Sequence, residues 1–393
     1  MSAWPDQRVA LFARTNFRDE RRVFGIRQVD RRSHLYIIGK TGTGKTTLLE
    51  SLIRQDIGAD QGVAVLDPHG DLLNRLVDGM SARRRADLVY LNAPDPDLAI
   101  GYNPLADVPP GQRALTASFL LDAFKKIWWE FWGPRSEHLL RYALLALLDQ
   151  PAATLADILR LFDDRPYRRA AMERVYDARV RDFWLREFEG YSARFRTEAV
   201  APLQNKVGAF LAHPRLRAIL TEPQSSLRLR EIMDEGKVLL INLAKGRLGE
   251  DAASLLGSLL LSGLQMAALS RADAPEAARR DFFIFVDEFP TFATLGLANM
   301  LTELRKYHVG LTLAHQHLSQ LEPEVRDAVL GNVGSIVSFR VGPEDARVLE
   351  REFAPEFRAE HLVSLPNWGI YLRLMIDGRV SRPFSAEIIR VAA

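Results

Sequence analysis

The stretch HLYIIGKTGTGKTTLL, residues 34–49, constrains this chain more than any other. An apolar run at 35–38 feeds a Gly-x-x-x-x-Gly-Lys-Thr loop, from Gly39 through Lys40, Thr41, Gly42, Thr43, Gly44 and Lys45 to Thr46. Thr47, Leu48, Leu49, Leu52 and Ile53 then continue as the buried stripe of a helix. Strand, glycine-rich loop and helix in that order predict a P-loop in an α/β fold. The glycines let successive backbone N–H groups point inward at a triphosphate, at the positive end of the helix dipole. In such a loop Lys45 reaches the β/γ-phosphates and the Thr46 hydroxyl binds Mg²⁺, so ATP and Mg²⁺ are the expected cofactors, with residues 39–47 lining the nucleotide.

A second motif says how the triphosphate would be used. Residues 281–290 read DFFIFVDEFP, five apolar positions ending in an acidic pair. On a buried parallel strand Asp287 emerges at the carboxyl edge and can hold the Mg²⁺ shell, while Glu288 can polarise the attacking water. Such a pair at a strand end is often a solvated turn; beside a P-loop it reads as the hydrolytic half of an ATPase.

Two further turns lie near this expected edge. In GVAVLDPHGDLL, residues 62–73, Pro68 and Gly70 are explained by a turn, whereas Asp67 is open to either a turn role or a role at the metal or water. In LTELRKYHVGLTLAHQHLSQL, residues 301–321, a charged helix leads into a strand over 311–314 that ends at His315-Gln316-His317. Gln316 is a candidate γ-phosphate sensor. Arg305 on the preceding helix is either a surface partner of Glu303 or a finger directed at a neighbouring subunit's nucleotide. His315 and His317 share a strand face, but no third metal ligand is in view.

Length and charge bound the rest. With 393 residues, 47% hydrophobic and without cysteine, the chain has material for a large core and neither disulfides nor cysteine–zinc sites. Its 52 Lys+Arg face 50 Asp+Glu, so any nucleic-acid contact must come from a local patch or a channel assembled from several copies. Candidate patches are residues 14–32, with seven arginines against three acids, and Arg83-Arg84-Arg85. The run Trp128-Trp129-Glu130-Phe131-Trp132 reads as helical core rather than as a base-stacking platform. Residues 252–270 are uncharged and near the length of a membrane span, but Ser254, Ser258 and Ser262 with Gln265 give them one small polar face, so a buried helix is expected.

Strand-like runs at 63–66, 88–91, 238–243, 311–314 and 336–341 alternate with helical patterns, predicting a mostly parallel sheet covered on both faces. From 112 to 231 only helical periodicity is found. The expected organisation is therefore a small N-terminal β-rich segment (1–33), the first half of a motor domain (34–111), an all-α insertion domain (112–231) and the second half of the motor (232–393).

The series TNFRDERRVFGIRQVDRRSHLYIIGKTGTGKTTLL, VLDPHGDLL, FWGPRSEHLLRYALLALL, KVLLINLAKGRLGED, VDEFPTFAT, LRKYHVGLTLAHQHLSQL and GNVGSIVSFRVGPEDA resembles the HerA/FtsK superfamily of DNA-pumping ATPases, and within it the TraG/TraD-like coupling proteins of conjugation and type IV secretion. The resemblance spans almost the whole chain. It implies a RecA-like motor with an all-α insertion, assembled as a homo-hexameric ring around sequence-independent DNA. By that likeness Lys45, Thr46, Asp287 and Glu288 keep the roles above, Gln316 is the γ-phosphate sensor and Arg305 the arginine finger given to the adjacent subunit. Should Arg305 prove dispensable, Arg247 and Arg340 are the next candidates.

Membrane coupling proteins of this kind carry membrane helices ahead of the motor, whereas here the P-loop begins at Gly39. The expectation is thus a cytoplasmic protein without a span of its own, brought to a membrane only by a partner such as a relaxase or a secretion-channel protein. Three functions follow: a DNA translocase serving conjugative or type IV secretion-like transfer, a soluble pump in recombination or phage defence, or a coupling ATPase with protein or nucleoprotein cargo. A slow regulatory switch is disfavoured by Glu288 together with Arg305.

Overall fold

The computed structural model describes residues 8–17, 20–129 and 132–389. Its contacts divide the chain into two compact units: Met1–Asn92, Leu229–Ala244 and Ala267–Ala393 form the first, and Ala93–Arg228 and Lys245–Met266 the second. The helical unit therefore takes in residues 93–111 and 245–266 as well as the stretch between 112 and 228, which differs from the boundaries expected from sequence order.

In chain order the strands of the first unit are β1 (Val9–Thr15), β2 (Val23–Arg27), β3 (Leu35–Ile38), β4 (Gly62–Asp67), β5 (Leu88–Asn92), β6 (Val238–Asn242), β7 (Phe282–Val286), β8 (Val309–His315), β9 (Ser335–Ser338), β10 (Gly369–Arg373), a short ribbon of β11 (Met375–Ile376) and β12 (Arg379–Val380), and β13 (Phe384–Ile388). All but the ribbon join one eleven-stranded sheet, ordered β2-β1-β13-β10-β9-β3-β8-β7-β4-β6-β5. From β9 to β5 every neighbouring pair is parallel. β3, β4, β6 and β7 are buried at every position, which is why they read as unbroken apolar runs rather than alternating ones. From β9 to β2 the pairing turns antiparallel, and the exposed Val9 and Leu11 of β1 alternate with the buried Ala10 and Phe12.

Among the described residues, the N-terminal β-rich segment expected over 1–33 is joined to the main sheet. β1 pairs with β13, Ala13 opposite Ile388, so the N-terminal hairpin is the outer edge of the main sheet. Sequence order hides this because the bridging strand comes from the far end of the chain.

The helix after the P-loop, Lys45–Gly58, buries Leu48, Leu49, Leu52, Ile53 and Ile57 in one cluster with Leu35 and Ile37 of β3 and Val63 and Val65 of β4. Each fully covered leucine there contributes about 1.5–3 kcal/mol. The loop at its N-terminus is thus fixed between two buried elements.

Among the described residues the second unit is helical. Its main helices are Arg113–Ile127, Pro134–Leu148, Arg165–Met172, Ala193–Ala212 and Pro214–Leu220, with a π-helical turn at Phe183–Phe188. Trp184 and Phe188 are fully buried, Phe162 packs on both, and the buried Arg168 donates to the carbonyls of Leu161 and Phe162. Trp128 stacks on Phe124 in this core as expected, but Trp129 is 68% exposed; Glu130 and Phe131 lie outside the described residues. One described helix, Glu250–Asp273, is long and apolar enough to cross a membrane; its apolar stretch of 18 residues has a mean hydropathy of 1.6 and is 78% buried, and Ser258, Ser262 and Gln265 of the helix are buried too.

Candidate active site

Because the central strands are parallel, their carboxyl ends share one edge, and four loops meet there. Ile38 of β3 lies opposite His315 of β8, and Leu66 of β4 opposite Val286 of β7. The next residue along each strand is therefore Gly39, Gln316, Asp67 and Asp287. They line or adjoin a cavity of about 260 Å³ bounded by Thr41, Gly42, Gly44, Lys45, Thr46, Thr47, His69, Asp287, Glu288, Gln316 and Trp368.

Gly42 and Gly44 have φ of +76° and +125°, the left-handed region that lets the loop curl. At Gly44 a Cβ would also meet Trp368, Ile388 and Phe339 at about 3.0 Å, so both torsion and space demand glycine. The helix begins at Lys45, and its N-terminus points into the loop. The Lys45 ammonium is nearly buried and donates to the carbonyls of Gly39 (2.6 Å) and Lys40 (3.2 Å). Burial lowers its pKa, against the opposing pull of Glu288 and Asp287. The Thr43 hydroxyl is turned inward and closes the loop on the Lys40 carbonyl at 2.7 Å.

Asp287 and Glu288 are both buried. Burial, then the nearby charges of Asp67 and Glu288, push the Asp287 carboxyl up to about 6. Glu288 has φ +47°, a left-handed conformation that costs a non-glycine residue on the order of 1–3 kcal/mol and is found preferentially at functional sites. The Asp287 carboxylate accepts the Glu288 N–H at 3.0 Å. Gln316 links the two halves of the site: its Nε2 donates to Glu288 Oε1, and its Oε1 accepts the Thr41 hydroxyl of the P-loop.

Of the two readings left open for Asp67, the geometry carries the turn. Its carboxylate accepts the N–H groups of His69 (2.8 Å) and Leu72 (3.2 Å), which fixes the turn, and its charge also bears on Asp287. The histidines do not converge. His315 is buried, shares a 2.5 Å hydrogen bond with the Tyr36 hydroxyl and is lowered by burial to about 4, whereas His317 faces Asp345.

The donor set fits Mg²⁺ of a particular kind. No cluster of three or more His, Asp or Glu side chains suited to a metal is found among the described residues. One hydroxyl, Thr46, and one or two carboxylates suit an ion that keeps water ligands and arrives on a nucleotide's phosphates. Burial does most to raise Asp287, and the negative charge of Asp67 and Glu288 that adds to it is what a divalent cation would neutralise.

Arg305 stands apart from this edge. It opens a 3₁₀ turn, Arg305–Tyr307, before the amino end of β8, whereas Gln316 follows its carboxyl end. It is exposed, and Glu303 pairs instead with Lys306 at 2.8 Å. Arg340, by contrast, is engaged, donating to the Leu365 carbonyl and to Asn367. Several arginines of the two clusters are engaged within the chain: Arg31 pairs with buried Asp56, Arg32 with Asp281, the exposed Arg14 and Arg21 with Glu387, and buried Arg84 with Asp87 and the carbonyls of Gln61 and Gly236. Arg18 lies outside the described residues.

Trp368 escaped the sequence reading. Nothing local marks it, since it reaches Gly44 only because β10 pairs with β9 next to the P-loop strand.

Residues 29–263 match the family model of the central domain of the helicase HerA. The chain belongs to this family. The match takes in the P-loop and the Asp67 turn of this HerA-family chain, and ends before β7. Among solved structures, the bacterial conjugative coupling protein TrwBdeltaN70 aligns with 100% of the chain and 97% of its own, at 16% identity and a TM-score of 0.68. The plasmid coupling protein TrwB in complex with ADP and Mg²⁺ gives 17% and 0.68 over 100% and 97%. VirB4 of Thermoanaerobacter pseudethanolicus gives 15% and 0.65, over 100% and 98%. At such identities the likeness establishes the fold, that of a P-loop ATPase with a mostly parallel sheet. No curated protein matches the chain.

Proposed function

We propose that this HerA-family protein hydrolyses Mg²⁺·ATP to move DNA without regard to sequence, as a homo-oligomeric, hexameric ring in the cytoplasm, serving conjugative or type IV secretion-like transfer. The observation that carries the reading is the hydrogen-bonded path from Thr41 through Gln316 to Glu288, which joins the phosphate loop to the hydrolytic carboxylate. In it Lys45 and the loop amides hold the phosphates, Thr46 and Asp287 the cation, Glu288 orients and deprotonates water, and Gln316 reads the γ-phosphate. The helical unit acts as an insertion between the two halves of the motor. The TrwB likeness, and a complex of that protein with ADP and Mg²⁺, support a nucleotide bound together with Mg²⁺.

Hydrolysis measured with no polymer, with single-stranded and with duplex DNA tests the cargo. Stimulation by one DNA form of tenfold or so is expected. Equal rates in all three would transfer the reading to a protein or nucleoprotein cargo delivered by a relaxase or secretion-channel partner.

Arg305 is the finger in this proposal, supplied to the neighbouring subunit. Its exposure, its distance along β8 from its own P-loop and the pairing of Glu303 with Lys306 all support that role. Arg305→Ala and Lys45→Ala should each be nearly inactive alone. Mixed under conditions of verified subunit exchange they should recover part of the activity, because some interfaces then combine an intact loop with an intact arginine. Near-native activity of Arg305→Ala alone would move the role to Arg247.

A further inference from the structure

The acidic pair and Gln316 occupy only one side of the P-loop. In the sheet, β8 and β7 lie on one flank of β3, and β9 and β10 on the other. A nucleotide whose γ-phosphate meets Gln316 and Glu288 must therefore direct its sugar and base elsewhere, past Gly44 and Thr47. Trp368, immediately before β10, lines the cavity from that opposite flank.

Its placement is built with unusual care. Trp368 has φ +72°, a torsion that a bulky side chain rarely adopts and that persists only when the surroundings enforce it. Its N–H donates to the Thr43 carbonyl within the P-loop (3.0 Å), and its own carbonyl accepts the Ile388 N–H (3.0 Å). The Arg340 guanidinium holds the same loop through the Leu365 carbonyl and Asn367, while the Arg340 carbonyl accepts the Lys40 N–H at 2.8 Å. The indole edge then lies against Gly44, where any side chain would displace it. A half-buried aromatic ring fixed to the phosphate loop by backbone bonds offers the large apolar face that this end of the cavity otherwise lacks among its described residues.

We infer that Trp368 is the platform on which the nucleobase stacks. The inference rests on the nucleotide reading of the site and adds to it the recognition of the base. Stacking on an aromatic side chain is worth enough to change affinity roughly tenfold to a hundredfold. It acts on the base alone, whereas a ring that only braced Gly44 would act on the phosphates.

Calorimetric titration with Mg²⁺·ATP and with Mg²⁺·tripolyphosphate, which has the phosphates but no base, separates these roles. Trp368→Gly keeps the backbone course, since glycine adopts φ +72° freely, and removes the ring. It should weaken ATP about tenfold to a hundredfold and leave tripolyphosphate within about twofold, with Trp368→Phe retaining most of the ATP affinity. Should the glycine variant fold poorly by thermal unfolding, Trp368→Leu keeps the apolar volume against Gly44 without the aromatic face and should show the same selective loss. Equal weakening of both ligands, or no weakening of ATP, overturns the platform. Native protein that binds neither ligand would instead overturn the nucleotide reading itself.

Discussion

Lys45→Ala is expected to remove ATP hydrolysis almost entirely, by about two orders of magnitude or more, while leaving the protein folded. The ammonium is the one mobile positive charge among the cavity-lining side chains, set between the loop carbonyls and the Asp287–Glu288 pair. Charge-assisted contacts to a phosphate are roughly twice as strong as neutral ones, and fixed backbone amides cannot follow the charge that shifts during transfer. The fold should tolerate the change because the Lys40 carbonyl keeps its bonds from the Thr43 N–H and hydroxyl, and only the buried Gly39 carbonyl loses this donor, at a cost of about 1–3 kcal/mol. Turnover, nucleotide titration and thermal unfolding measured on one preparation check this. A variant hydrolysing ATP at the native rate would show that the site assignment is wrong.

The phosphate half of the site was legible because its signals are local. An apolar run, a glycine-rich loop and a 3.6-residue stripe need no tertiary information, and β7 announces itself as an unbroken apolar run because both of its faces are covered. The same reasoning fails for β10 and β13. Their half-exposed positions, with Tyr371 in β10 and Ser385 and Glu387 in β13, break the apolar run, and their value to the fold lies in bringing β1 and Trp368 to places far away in sequence. The left-handed torsions of Glu288 and Trp368 are likewise invisible, since neither residue type signals a positive φ.

Charge is less legible than the phosphate loop. The arginines near the N-terminus and the Arg83-Arg84-Arg85 block read only as candidate patches, and the pairing of several of them with Asp56, Asp281, Glu387 and Asp87 depends on partners the sequence places far away or gives no reason to choose. The cost of burying Arg31 is offset by a bidentate bond to Asp56 at 2.7 Å and by its position over the Phe283 ring. A basic run thus reports where partners are needed and does not by itself report DNA.

Glu288→Gln should separate binding from chemistry. The amide cannot take a proton from water, so hydrolysis should fall by about two or more orders of magnitude. The surrounding geometry has reason to persist: Gln316 Nε2 donates to Oε1 of Glu288, an acceptor that glutamine retains, and the Asp287 carboxylate still receives the backbone N–H of residue 288. Binding should hold or tighten. The Glu288 charge is one of the causes that raise Asp287 to about 6, and removing it lets Asp287 ionise more readily and hold the cation more firmly, the more so the closer the pH lies to 6. The expected result is an ATP-loaded protein that turns over slowly, with its nucleotide affinity gaining most over native near pH 6 and least above pH 7. Affinity that collapses together with turnover would mean instead that Glu288 carries the cation or the loop, and that the water is activated from elsewhere on this edge, where Asp67 is a further carboxylate.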